Sequence, residues 1–555
     1  MNLMCASSLC APITSLLASL DDPAAAATAA AAVLAKGPPP VSQEQFSRLS
    51  TVVAVVWWAI CFAIIFLMQS GFLLLEAGSV RAKNAAHVSA KVLAHTGIAI
   101  FCFWLVGFAI KAFAWPLCYV LHQAGTGTAL ADVSDAISGY VGWAGASSSW
   151  LPWRFAAQPD VYMVNFFGSL TFCITSMAIP GTVFSERFRF KAYLLFAVLY
   201  AGIVYPIFGF LIWGGLGGSP LLDPHSGLVQ LMDRWFTPDV ASEAGKKLLD
   251  YGMVADAGGR HFWAPYTDYA GSTGVHALGG IVGLVGGWYV GPRLGRFRRD
   301  GSPAAIPAHN VLLTVFGTLL LAFCWFGFNG GSVVANAANH PLLGKGAGAR
   351  GLYRADYLFS DIWWVFGTTA LAAAGGVLGS LIASYRLSKT ADPLILANGL
   401  LGGLVAICSC VGFAPPGWGL VIGLVAGFQF PYTFRWVERT LKIDDAIGTI
   451  ACHLASGVLG GLLAGLYGQL FWWGVLPAAW VHPGGELASG TSIPTLGIQI
   501  AGFFVLLLYG LPMAYGTFKI CDKLIGVRSP PDDERQGLDL AEHGLEAYPT
   551  DSHQV

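Results

Sequence analysis

Charged side chains are scarce in this chain of 555 residues, where Asp, Glu, Lys and Arg together make up 11%. Roughly 25% is usual for a soluble globular domain, so that class is excluded. A disordered chain is excluded as well, because 55% of the residues are apolar or aromatic, and disorder requires low hydrophobicity. An excess of positive charge is also missing. The net charge of −1 argues against a nucleic-acid partner, which needs a basic surface.

Cysteine pairs with metal-binding or redox spacing are absent too. Most of the 11 cysteines lie inside apolar runs, where Cys behaves as a small hydrophobic residue. Cys408 and Cys410 are too close together for a CxxC motif. We therefore expect no disulfide framework, no cysteine metal site and no cofactor.

Long apolar runs dominate the chain instead. A helix needs about 20 residues to cross a bilayer, and its backbone satisfies its own hydrogen bonds there. The sequence predicts an all-α polytopic membrane protein with eleven transmembrane helices. The predicted spans cover residues 52–77, 86–114, 161–184, 192–216, 268–290, 308–328, 359–384, 394–413, 417–434, 446–470 and 495–520.

Basic residues predict the orientation of these spans. Clusters of Lys and Arg follow spans 1, 3, 5, 7, 9 and 11, whereas the short loops after spans 8 and 10 contain neither residue. By the positive-inside rule, the amino terminus lies outside and the carboxyl terminus is cytoplasmic. We therefore expect a multi-pass protein of the cell membrane.

Three regions follow from this reading: an N-terminal extension at 1–50, a membrane domain at 51–521 and a cytoplasmic tail at 522–555. Residues 1–20 are mostly apolar and uncharged. They are either a secretory signal segment, although a basic start is missing, or a flexible tail.

Two segments of the chain repeat one another. Asp268 and His276 in span 5, and Asp445 and His453 in span 10, both fit the pattern D-x7-H-x3-G-x2-G and lie 177 residues apart. An odd number of spans separates the two segments, so the two helices enter the membrane from opposite faces. This is the signature of an inverted repeat of spans 1–5 and 6–10, with span 11 extra.

The repeat predicts a pair of imidazoles near the membrane midplane. Each histidine follows its Asp by eight residues, about 12 Å along a helix, in a hydrocarbon core about 30 Å thick. Ionisable groups at that depth are functional candidates, although a single histidine, such as His95, is more often a packing residue. The aspartates can equally be helix N-caps, and two histidines without a third ligand make a poor metal site.

Glycines spaced four residues apart follow both histidines and predict close packing of spans 5 and 10. They are Gly279, Gly283, Gly287, Gly457, Gly461 and Gly465.

Four motifs together resemble the ammonium transporter (Amt/Mep/Rh) superfamily, on the Amt side. They are MQSGFLLLEAGSVRAKNA (68–85), DYAGSTGVH (268–276), WFGFNGGS (325–332) and DDAIGTIACH (444–453). The resemblance runs from about residue 66 to 548, and ERQGLDLAEHGLEAY (534–548) resembles the segment with which such transporters meet P-II signalling proteins.

The resemblance implies an outer recruitment site for ammonium. Its residues would be Trp213, Phe172 and Ser332, with Asp268 shaping the site from behind. Aromatic faces attract cations, and a hydroxyl accepts an N–H bond. The sequence departs from the family pattern at Ser169, where many relatives have Gln.

The pore implied by the resemblance lies below that site. Phe172 and Phe328 would be stacked rings that close it, His276 and His453 would be the twin histidines that line it, and Trp325 would lie beside them. The implied function is that of an ammonium transporter or channel that deprotonates ammonium and conducts ammonia, with or without separate transfer of the proton. Methylammonium is the expected substrate analogue. The family further implies a homotrimer in a lipid bilayer.

Three alternatives to this function stay open at this point. One is an ammonium sensor that signals through its tail, and a second is an Rh-like channel for ammonia or carbon dioxide. The third is a membrane protein, an enzyme or cofactor binder, with His276 and His453 as ligands. We expect a non-enzymatic protein.

Overall fold

The computed structural model describes residues 43–112, 159–213, 266–338, 355–476 and 493–549. The chain divides into two compact units, residues 1–50 and 51–555, and the contacts given below lie within the second. Throughout the described ranges the secondary structure is helical, without a β-strand. The predicted all-α class is thus confirmed. The predicted signal segment lies outside the described residues.

Every predicted span contains a helix. The helices are α1 (Gln43–Ser79), α2 (Ala85–Cys102, continued by Phe103–Gly107 and Phe108–Ala112), α3 (Pro159–Val183), α4 (Phe190–Leu199, Tyr200–Val204 and Tyr205–Trp213), α5 (Ser272–Ala277 and Leu278–Val290), α6 (Val311–Ala338), α7 (Ala355–Ser388), α8 (Pro393–Ile407), α9 (Pro416–Trp436 and Val437–Leu441), α10 (Ile450–Ala455 and Ser456–Trp472) and α11 (Leu496–Leu524). In the described part of the chain, ten helices are long and apolar enough to cross a membrane, and α8 is a shorter apolar helix. The orientation of the termini stays a prediction.

The end of span 6 was predicted wrongly. Helix α6 continues to Ala338 rather than stopping at residue 328, so the segment WFGFNGGS is helical. Its glycines are packing positions, not a helix stop: a Cβ added to Gly331 would lie 2.9 Å from the Cβ of Cys61. The indole Nε1 of Trp57 donates to the carbonyl of Gly330 at 3.0 Å.

Helices α5 and α10 cross closely beside the two histidines. A Cβ on Gly280 would lie 2.7 Å from the Cβ of Leu454, and one on Gly457 would lie 3.1 Å from the Cβ of Ala277. Small residues thus bring the two repeat-related backbones together, which is the predicted close packing. The row of glycines spaced four residues apart from Gly279 begins against a different helix. A Cβ on Gly279 would lie 2.8 Å from the carbonyl oxygen of Ser176 in α3.

A buried ionic cluster joins the loops at the end of the helices opposite Trp213. The guanidinium of Arg293 donates to both carboxylate oxygens of Asp444, at 2.8 and 2.9 Å, and to Glu186 at 2.7 Å. Arg187 lies 3.8 Å from Asp444 and is fully buried. Burial alone would raise the pKa of Asp444, but the guanidiniums of Arg187 and Arg293 hold it well below its usual range.

The carboxyl-terminal tail packs against the same loops. It forms two short helices, α12 (Pro531–Gln536) and α13 (Leu538–His543). The Asp539 carboxylate accepts hydrogen bonds from the backbone of Ala86 at 3.0 Å and His87 at 2.7 Å. These amides lie in the first turn of α2, where helix N–H groups lack partners, so the tail caps that helix.

Candidate functional site

The two repeated histidines lie in direct contact. His276 and His453 each occupy a π-helical turn, at Ser272–Ala277 and Ile450–Ala455, respectively. Their Nδ1 atoms are 3.2 Å apart and their ring centroids 5.3 Å apart. Both side chains are buried. A contact between two ring nitrogens requires one to donate a proton and the other to accept it.

An indole ring fixes one side of this pair. Trp325 is fully buried and stacks on His276, with centroids 5.0 Å apart and an interplanar angle of 16°. Its Nε1 donates to the sulfur of Cys408 at 3.2 Å, and Cys408 donates to Asn329 at 3.3 Å. Sequence reasoning treated Cys408 as a space-filling residue and did not identify this support for Trp325.

The two phenylalanines stack above the histidines. Phe172 of α3 and Phe328 of α6 have centroids 4.3 Å apart and planes inclined by 20°. Phe328 lies 5.7 Å from the ring of His276, and Phe172 lies 5.9 Å from the ring of Trp213. Five rings therefore form one continuous series of contacts from Trp213 to His453.

Asp268 supports this series from behind. Its carboxylate accepts hydrogen bonds from the backbone of Thr273 at 3.0 Å and Gly274 at 2.6 Å, and from the Ser409 hydroxyl at 3.0 Å. Its backbone carbonyl accepts a hydrogen bond from the Nε1 of Trp213 at 2.8 Å. Asp268 thus accepts hydrogen bonds from N–H groups in the first turn of α5 and also orients the indole of Trp213. Ser409 gave no signal in the sequence.

Asp445 plays the same structural part in the other repeat. Its carboxylate accepts from the amides of Gly448, Thr449 and Ile450 at 3.1, 2.9 and 2.6 Å. The helix-capping interpretation therefore describes both aspartates, and in each repeat the cap precedes the turn that carries the histidine.

Ser332 lies one helical turn beyond Phe328 in α6. Its side chain is buried, and its hydroxyl donates to the Phe328 carbonyl at 2.9 Å. Residues four apart share one face of a helix, so the hydroxyl and the Phe328 ring lie on the same face of α6.

His95 is a packing residue. Its Nδ1 lies 2.8 Å from the Tyr193 hydroxyl and its Nε2 lies 3.0 Å from Oε1 of Gln69. Both ring nitrogens are thus occupied. Within the described ranges, no group of three His, Cys, Asp or Glu side chains could hold a metal ion.

A lysine that sequence reasoning missed lies at the Trp213 end of the series. The Nζ of Lys111, at the end of α2, is 5.8 Å from the Trp213 ring centroid and donates to the hydroxyl of Ser169. An apolar run around residue 111 reads simply as a membrane span, and nothing in that run shows which helix the lysine faces.

Comparison with known proteins identifies the family of this architecture. Residues 56–548 match the Ammonium Transporter Family. The ammonium transporter Amt2 of Haloferax mediterranei is 32% identical over 90% of each chain, and Amt2 of Archaeoglobus fulgidus is 31% identical over 90% of this chain and 88% of its own.

Solved structures show the same fold. A sensor Amt protein matches with a TM-score of 0.64 and 26% identity, over 89% of this chain and 99% of that one. Mep2 of Candida albicans, at 19% identity, covers 89% of this chain and 90% of its own, with a TM-score of 0.59. The chain is therefore a multi-pass membrane protein that belongs to the ammonium transporter family.

Proposed function

We propose that the protein carries ammonium across the membrane by removing one proton and passing neutral ammonia along the ring series. The observation that carries this proposal is the contact between His276 and His453 at one end of a continuous aromatic path. Trp213, Phe172, Ser332 and Asp268 form the recruitment site, Phe172 and Phe328 the gate, and the histidines with Trp325 the lumen.

Recruitment uses the faces of the aromatic rings. The indole of Trp213 is half-buried and is held by the Asp268 carbonyl, so one orientation of the ring is fixed before substrate arrives. Cation–π attraction strengthens when the cation loses water. The Ser332 hydroxyl supplies an acceptor for one N–H of ammonium. The Asp268 carboxylate is bound by three donors and acts through position, not as a direct ligand.

Proton removal follows from the composition of the path below this site. Its named members are two phenyl rings, two imidazoles and an indole, none of them anionic. A bare cation is costly in such surroundings, and ammonium, unlike potassium, can lose its charge by giving a proton to water at the outer site. Ammonia then passes between Phe172 and Phe328 without a charged partner.

The histidine pair suits ammonia because it offers both kinds of hydrogen bond. When the Nδ1 of one neutral imidazole donates to the Nδ1 of the other, the first ring keeps Nε2 as an acceptor and the second carries N–H at Nε2. The Nε2 of His276 is buried and has no partner among the described residues. Ammonia, itself a donor and an acceptor, matches this arrangement.

Changing Trp213 to Leu tests the recruitment step. Loss of a partly desolvated cation–π contact should raise the half-saturation concentration for methylammonium uptake into proteoliposomes by roughly tenfold, with little change in the maximal rate. The matched control is Trp288→Leu, since Trp288 is 61% exposed on the helix surface. An unchanged half-saturation concentration in Trp213→Leu would remove the indole from the site.

A combined role in transport and signalling has one observation in its favour. The tail packs onto the start of α2 through Asp539 and onto the loop after α5 through Glu534, so a partner that binds the tail could act on these helices. A related structure is a sensor Amt protein. The P-II partner at residues 534–548 and the homotrimer stay predictions.

A further inference from the structure

Lys111 is held inward, over the recruitment site. Its head group donates to Ser169 of α3 and lies 5.8 Å from the Trp213 ring centroid. Its stem crosses a gap left by Gly209 of α4, where a Cβ would lie 3.4 Å from both Cδ and Cε of the lysine. Lysines near helix ends usually extend toward water, whereas this one is fixed by contacts with two other helices.

The head group is chemically a tethered substrate analogue. A lysine ε-ammonium is a primary alkylammonium, as methylammonium is, and its distance from the indole is within the range of about 6 Å at which a ring attracts a cation. Among the described residues, Lys111 forms no ion pair with a carboxylate. Within the described ranges, its head group contacts the Ser169 hydroxyl and the Trp213 ring, and a hydroxyl and an aromatic face are also the groups proposed to receive ammonium.

We propose that Lys111 is an intramolecular competitor for the cation site on Trp213 and thereby sets the affinity of the transporter for ammonium. This inference rests on the proposed recruitment role of Trp213. While the lysine head occupies the ring face, an incoming ammonium must displace it or bind beside a like charge. Both situations weaken binding at low ammonium concentration and leave the path below the site unchanged. Lys111 is therefore an affinity-determining residue of the recruitment site.

Lys111→Met tests the proposal, because methionine keeps the unbranched stem and removes the charge. The half-saturation concentration for methylammonium uptake into proteoliposomes should fall by roughly tenfold, with the maximal rate retained. Lys111→Gln is a second variant and should shift in the same direction. The matched control is Lys519→Met: Lys519 also lies over an aromatic ring, 5.7 Å from the centroid of Tyr515, but is exposed on α11.

A double variant establishes that the two side chains act on the same site. In a Trp213→Leu background the Lys111→Met change should have little effect, because the face for which the lysine competes is gone. Equal effects of Lys111→Met with and without Trp213 would contradict the competition.

The remaining outcomes separate this inference from the proposed function. If Lys111→Met and Lys111→Gln both take up methylammonium with the wild-type half-saturation concentration, the Lys111 assignment alone is overturned. Loss of the maximal rate in both folded variants would also overturn it, because the lysine would then act in the transport step itself. Absence of uptake by the wild-type protein would contradict the proposed function itself.

Discussion

Replacing both His276 and His453 with Leu should lower the maximal rate of methylammonium uptake by about a hundredfold. Leucine fills a similar space but offers no hydrogen bond, so ammonia in the lumen loses both a donor and an acceptor. A net hydrogen bond is worth about 0.5–1.5 kcal/mol. Two lost bonds, at the upper end of that range, raise the barrier by about 3 kcal/mol, or roughly a hundredfold in rate. Uptake by reconstituted protein measures the effect.

The conservative variant His453→Gln is the control for this loss. A glutamine amide both donates and accepts, so it should retain more uptake than His453→Leu at equal thermal stability. A double Leu variant that transports at the wild-type rate would remove the histidines from the mechanism.

Changing Asp444 to Ala should produce the largest loss of stability. The carboxylate is buried against Arg187, Arg293 and Arg296. Its removal leaves the fully buried Arg187 without its ion-pair partner, while Arg293 and Arg296 keep only Glu186 and Glu438. Breaking a buried ion pair from one side typically costs about 3–5 kcal/mol. Thermal unfolding in detergent should therefore shift strongly downward. Asp300→Ala, at an exposed position in the loop between α5 and α6, should leave the unfolding temperature unchanged.

The stability difference between the wild type and Asp444→Ala depends on pH in a way that follows from the direction of the pKa shift of Asp444. The pKa of Asp444 in the folded protein lies below that of an unfolded carboxyl group, so its stabilising contribution is present above the unfolded value of about 3.9. It is lost only as the pH falls through the lower folded value. The free energies of unfolding of the wild type and Asp444→Ala should therefore differ by the same amount at about pH 5 and pH 7. A difference that disappears within that interval would contradict the assigned pairing.

The sequence was informative where a repeated pattern constrained geometry. The shared spacing from Asp to His predicted that His276 and His453 approach from opposite faces, and their Nδ1 atoms lie 3.2 Å apart. The family resemblance, rather than the spacing, grouped Phe172 with Phe328, which stack at 4.3 Å. By contrast, the π-helical turns that carry both histidines could not be predicted, because a change in backbone hydrogen bonding leaves no pattern in side-chain type.

Residues that act through a neighbour on another helix were also beyond sequence reasoning. Lys111 reads as one basic residue in an apolar run, and only the packing of α2, α3 and α4 shows its contact with Trp213. Arg187 and Arg293 were counted as topological signals, although both are buried and Arg293 is paired with Asp444. Charge counting does not distinguish a solvated arginine from one that holds loops together.

The most direct test of the proton-removal mechanism compares ammonium with rubidium, a cation of similar size that has no proton to lose. Both are offered to the same proteoliposomes containing the wild-type protein, and the uptake of each is measured. Uptake of ammonium without uptake of rubidium is the expected result, since only ammonium can enter the uncharged path as a neutral molecule. Comparable uptake of rubidium would show that intact cations pass the phenylalanine rings and would contradict the mechanism.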